Sequence, residues 1–156
     1  MNKKIGLFWL RDDFRISKNN GLIEATTNHD QVVVFYLYKK NTYKYQEAQK
    51  WWLSKSLLNF QKQLSNLNIS LEIIETNSFK IFFDNLMREK DFTIYWNKVY
   101  EPDYLKFDEY LLGVFTNNNI PHKRYKGNTL HENDEIKQND GTPFKVFTPF
   151  WKTAEK

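Results

Sequence analysis

The sequence contains no cysteine, which excludes a disulfide framework, a thiolate metal site and thiol redox chemistry, and suits a reducing cytoplasm. Long apolar runs are missing too: no stretch approaches the roughly 20 residues that span a bilayer, so no membrane association is expected. Met-Asn-Lys-Lys followed by Ile5 to Leu10 imitates a secretory leader, but Arg11, Asp12 and Asp13 end the apolar run after six residues. That segment reads as a first strand. There is no G-x-G-x-x-G, no Walker A lysine loop and no G-x-S-x-G, so the usual dinucleotide, ATP and hydrolase signatures are absent. His122 and His131 lack the i, i+4 spacing of a helical metal site, and no metal is expected.

What the chain does hold is aromatic mass. Phe, Tyr and Trp make up 17% of 156 residues and apolar residues 40%, far from the profile of a disordered chain, and the length suits one core of ordinary size. The net charge of +4 permits phosphate attraction but is modest for a dedicated nucleic-acid binder; a solvated lysine-rich surface is the favoured account of it.

Lys4 to Trp9 and Gln31 to Tyr38 are short, apolar and rich in β-branched or aromatic residues, the pattern of parallel strands buried on both faces. Ile69 to Ile74, Phe92 to Trp96 and the weaker His122 to Tyr125 complete a set of five. Helices are predicted over Gly21 to Thr27, Gln46 to Leu67, Ser78 to Lys90 and Pro102 to Thr116. In the long one, Trp52, Leu53, Ser56, Leu57, Phe60, Leu64 and Leu67 recur at three- and four-residue steps and are expected to pack on the sheet. Strands alternating with helices predict an α/β fold: a doubly wound, Rossmann-like, five-stranded parallel sheet of order 3-2-1-4-5 with helices on both faces. Ligands bind such sheets beyond the carboxyl ends of the strands where the order reverses, here between the first and fourth. After Tyr125 the chain turns to Asn, Asp and Gly and reads as loop or extended chain, so the core domain is placed at 1–128 and a linker at 129–156. The closing TPFKVFTPFWKTAEK is an apolar tail that needs another surface to cover it.

Two loops flank the expected crevice. Trp9 to Arg15 carries two arginines and two aspartates, which can fix a polar cofactor, clamp a second domain, or only stabilise their own loop. Asn97 to Tyr104 brings an amide, two carboxylates and two phenols to the other side, where Glu101 is either a ligand contact or a partner of the helix dipole. The pair Trp51-Trp52 reads most simply as core or domain interface, with a stacking platform as the alternative.

Three segments resemble the photolyase and cryptochrome family in the same order. Trp9-Leu10-Arg11-Asp12-Asp13-Phe14-Arg15 with Asn20 and Leu22 is similar to W-F-R-x-D-L-R followed by D-N-x-x-L. Asn97 to Pro102 is similar to N-x-x-Y-E-P. Leu130-His131-Glu132 with Gly141 to Lys152 resembles the stretch leading out of the amino-terminal domain, G-x-x-Y-x-V-F-T-P-F-W. Phe14, Gly21 and Asn133-Asp134 depart from the usual Leu, Pro and Pro-Gly.

The resemblance implies a deoxyribodipyrimidine photolyase, in which FAD donates an electron to a cyclobutane pyrimidine dimer in damaged DNA. The FAD and DNA sites would lie in a helical domain following Lys156, so no catalytic residue is expected within the chain. It further implies an antenna chromophore (methenyltetrahydrofolate, a deazaflavin or a flavin) held by Arg11, Asp12, Asn97, Tyr100 and Glu101. Arg15, Phe147, Phe150 and Trp151 would face the FAD domain. Asp103-Tyr104 stand where folate-binding members carry Asn-Glu, which weakens a folate assignment. The alternatives are a cryptochrome photoreceptor fragment and a stand-alone flavodoxin-like module that binds a nucleotide or flavin.

Overall fold

The computed structural model describes residues 5–39, 46–132 and 135–155. Lys4, Asn133 and Asp134, on which expectations were placed, lie outside them. Five strands alternate with helices: β1 (Ile5–Leu10), α1 (Asn20–Asn28), β2 (Val32–Lys39), α2 (Glu47–Ser65), β3 (Ser70–Thr76), α3 (Phe79–Leu86), β4 (Phe92–Asn97), α4 (Pro102–Asn117), β5 (His122–Tyr125) and α5 (Phe147–Ala154). All pairings are parallel and the order is β3-β2-β1-β4-β5, as expected.

The three inner strands, β2, β1 and β4, are apolar at nearly every position because both of their faces are covered. Phe8 and Leu10 of β1 turn towards α1 and α2, packing with Leu22, Leu57, Phe60 and Leu64. Trp9 turns the other way, into a second core with Phe83 of α3 and Leu111 and Phe115 of α4. Trp9 sits edge-on to Phe83 at a centroid distance of 4.9 Å, the geometry that ring quadrupoles favour.

Two helix ends show why strands can follow at once. Asn68 and Asn119 take left-handed φ values of 57° and 56°. The next residues, Ile69 and Ile120, donate to the carbonyls of Leu64 and Phe115, the Schellman arrangement, and both isoleucines are buried beside those residues. Asparagine tolerates this backbone because its short polar side chain bonds locally.

Four expectations need correction. The chain after Tyr125, expected as loop or extended chain, ends in a helix, α5, over Phe147–Ala154. Only Leu57, Phe60 and Leu64 of α2 are fully buried; Trp52, in the second turn, and Leu67, past the end of the helix, are exposed. Trp51 and Trp52 are therefore not core residues. The third helix ends at Leu86 rather than Lys90, because the chain must turn through Lys90, at φ 54°, to enter β4.

Gly21 is required by close approach. A Cβ there would lie 2.7 Å from Asn97 Oδ1 and 2.8 Å from Phe8 Cε2. Overpacking costs about 1–3 kcal/mol, against a gain of up to about 1 kcal/mol in helix propensity. Gly21→Ala should thus lower stability by about 1–2 kcal/mol in urea denaturation with no change in slope.

Candidate functional site

At the carboxyl edge of the sheet, the residue after β1 and the last residue of β4 cross over. Arg11, just past β1, reaches to α4: its Nη1 donates to Asp108 Oδ1 at 2.9 Å and its Nη2 to Asp108 Oδ2 at 3.2 Å. Nη2 also donates to the carbonyl of Asn97. The guanidinium lies 4.8 Å from the Trp9 ring centroid and 5.5 Å from that of Tyr104, so four groups hold it in place. Arg11 and Asp108 are both buried. Burial pushes the Asp108 carboxyl up and the Arg11 guanidinium down, each against the attraction of the other.

Asn97, the last residue of β4, reaches the opposite way. Its Oδ1 accepts from Gly21 N at 3.1 Å, and its Nδ2 donates to Asn19 Oδ1 at 2.8 Å and more weakly to Asp13 Oδ2 at 3.4 Å. Asn19 is the N-cap of α1, accepting from Leu22 N and donating to the carbonyl of Arg15. Arg15 makes a two-point ion pair with Asp13, at 2.6 and 2.8 Å.

Of the expected contacts, Arg11, Asp12, Asn97 and Tyr100 line one cavity of about 50 Å³. Tyr100 anchors the chain beyond β5: its hydroxyl donates to Glu132 Oε1 and accepts from Gly127 N and Thr129 Oγ1. Lys98 completes the clasp by donating to Glu132 Oε2 at 2.9 Å. Glu101 is not part of that cavity; it is exposed at the N-cap of α4. Pockets for molecules of cofactor size run to roughly 300–1,000 Å³, whereas 50 Å³ admits little more than water.

The larger space lies alongside. A groove of about 620 Å³, open to solvent, runs between the loop after β1 and the first turns of α2. Asp12 and Phe14 form one wall; Gln49, Trp51, Trp52 and Leu53 form the other. Phe14 is fixed from below by Phe60, 6.1 Å away edge-on. The indoles of Trp51 and Trp52 are 59% and 67% exposed and 6.0 Å apart, and Lys55 Nζ lies 5.8 Å over the Trp51 ring.

Asp108 and Asn19 were not singled out from the sequence, and Glu132 was named only within the Leu130-His131-Glu132 segment, not as a partner of Tyr100 and Lys98. A Ser/Thr/Asp/Asn residue before a helix is the signal that marks Asn19. Asp108 gives only a faint one: a carboxylate on the stripe that carries Leu111 and Phe115. Among the described residues no group of three or more metal-ligating side chains occurs, and no helix is long and apolar enough to cross a membrane.

The family model for DNA photolyase matches residues 6–156. The deoxyribodipyrimidine photo-lyase of Agrobacterium fabrum is 28% identical over 96% of this chain and 31% of its own length. Cryptochrome-1 of Arabidopsis thaliana is 26% identical over 94% of this chain and 22% of its own. Among solved structures, a bacterial class III photolyase from Agrobacterium tumefaciens superposes over 99% of this chain with a TM-score of 0.86 at 26% identity, using 32% of that protein. An archaeal photolyase from Sulfolobus tokodaii with two FAD molecules has the same fold, with a TM-score of 0.75 at 24% identity over 95% of this chain and 34% of that one. The chain spans a third or less of the length of the curated relatives described.

Proposed function

The chain belongs to the DNA photolyase family as its amino-terminal α/β domain, and we propose that it serves as the light-harvesting domain of a cytoplasmic deoxyribodipyrimidine photolyase. In this reading a flat aromatic chromophore lies in the groove between Asp12 and Phe14 on one side and Trp51 and Trp52 on the other. The observation that carries it is the exposed tryptophan pair lining a groove of about 620 Å³. Two large indoles left in water, on a helix that meets the core through Leu57, Phe60 and Leu64, have no role in the core themselves. Stacked against a π-system they would be covered, and Lys55 offers a cation to an anionic group on the ligand.

Of the contacts expected from the sequence, Asp12 borders both the groove and the crevice. Arg11, Asn97, Tyr100 and Glu101 would then support the chromophore through the loops they hold rather than by touching it. The chromophore supplies light absorption and passes excitation energy on. The S. tokodaii photolyase, with two FAD molecules and the implication of a novel light-harvesting cofactor, supports a flavin as one member of the class. Repair of cyclobutane pyrimidine dimers would fall to an FAD-binding helical domain that binds damaged DNA. Helix α5 is the proposed seat for that domain. Phe147 and Trp151 stack on it at 5.9 Å, and Phe147 is 71% exposed.

Riboflavin, followed by quenching of its fluorescence, tests the groove. Removing one stacking ring costs about 1–3 kcal/mol, so Trp51→Ala/Trp52→Ala should weaken binding roughly tenfold or more. Circular dichroism should be unchanged, since neither ring is in the core. Equal binding by the native chain and the double variant would discard the reading.

A further inference from the structure

The groove beside α2 has room for a chromophore and the crevice at the reversal of strand order has not. We infer that the Arg11–Asp108 pair is a plug: it closes the crevice between β1 and β4 to any planar ligand and so directs the chromophore to the α2 groove. The inference rests on the groove reading for where the ligand goes, but the plug itself stands on separate observations.

The first is occupancy. In an open doubly wound sheet the loops after the two strands at the order reversal part to opposite faces and leave a crevice between them. Here Arg11 crosses that crevice from β1 to α4 while Asn97 crosses it from β4 to the amino end of α1. The two crossings are joined, because Arg11 donates to the Asn97 carbonyl. The space left over is about 50 Å³, against about 620 Å³ in the groove.

The second is commitment. The guanidinium is bound on two nitrogens to one carboxylate and flanked by two rings, and the Asp108 side chain is fully buried. Asp108 also has Arg124 Nη1 at 3.7 Å, a second cation that holds it on the inner face of α4. An exposed arginine swings aside for a ligand at small cost. This one would have to leave a buried carboxylate behind, which costs far more than surface rearrangement. Arg11 and Asp108 are therefore specificity-determining through the space they fill and touch no ligand.

The test uses riboflavin on paired backgrounds. In Trp51→Ala/Trp52→Ala the groove is disabled. Adding Arg11→Ala/Asp108→Asn removes both charges together and opens the crevice. The four-site variant should bind riboflavin at least tenfold more tightly than the two-site variant; no gain in a folded four-site variant would overturn the plug. The groove reading fails by a different result, unchanged binding on loss of the tryptophans. Should the four-site variant not fold, the native chain gives the answer by ¹⁵N NMR of the Arg11 guanidinium. Its N–H protons should exchange slowly and stay protected at saturating riboflavin, and loss of that protection on titration would overturn the plug.

Discussion

Asp108→Ala should destabilise the domain by about 3–5 kcal/mol, the range for leaving one member of a buried ion pair without its partner. A domain of ordinary size has only about 5–15 kcal/mol in total, so the variant should unfold well below the native midpoint in urea. The reason is local. Arg11 would keep its bond to the Asn97 carbonyl and its contacts with Trp9 and Tyr104, but its charge would sit in the core uncompensated. Replacing both members with apolar residues of similar volume, Arg11→Met/Asp108→Leu, should be close to neutral or stabilising, because it removes the desolvation cost of both charges.

The pH dependence points the same way. The Asp108 carboxyl is held above its ordinary range because burial outweighs the pull of Arg11. The folded chain therefore binds this proton more tightly than the unfolded chain does. As pH rises from the unfolded carboxylate value through the raised folded value, this group's contribution to stability falls. Arg11→Met/Asp108→Leu should lose that component of the pH profile, which a titration of urea midpoints on both proteins would show.

Much of the fold was legible because the strands are short and buried on both faces. In β1 and β4 the burial that drives strand formation also writes itself as mostly apolar residues, and the expected ends fall within one residue of Leu10 and Asn97. The long helix was legible as a helix but not as to its width of contact. Seven residues at three- and four-residue steps cover a wide arc, and sheet curvature and length, which the sequence does not carry, restrict full burial to Leu57, Phe60 and Leu64.

Helix α5 went unassigned because Pro149 lies inside it. Proline interrupts a helix interior, yet Pro149 is the third residue of Phe147–Ala154, within the first turn, where no N–H is owed to a preceding carbonyl. The crevice residues were legible as residues near a reversal of strand order. Their state was not. Whether Arg11 faces a ligand or fills the space depends on Asp108, 97 positions away, and nothing local to either residue announces the pairing.

Asn97→Asp should be the second most damaging single change, and more so than Asn97→Ala. The amide is used at both ends: Oδ1 accepts from Gly21 N, and Nδ2 donates to Asn19 Oδ1 and towards Asp13 Oδ2. Alanine leaves the Gly21 N–H buried without a partner, at about 1–3 kcal/mol for a lost acceptor, while Asn19 Oδ1 keeps its bond from Leu22 N and Asp13 Oδ2 its bond from Arg15. Aspartate keeps the bond from Gly21 but turns a donor into an acceptor, so oxygen faces oxygen at Asn19. It also sets a second carboxylate beside Asp13, and like charges in contact at a buried site raise the cost further. The two variants separate by pH. Protonating the new carboxyl removes its charge and restores a donor, so Asn97→Asp should regain stability as pH falls towards the carboxylate range. Asn97→Ala should show no such recovery. Urea midpoints for both, measured from neutral pH downward, decide the matter: parallel profiles would mean that Asn97 acts through its volume alone and not through the bonds that join β4 to the start of α1.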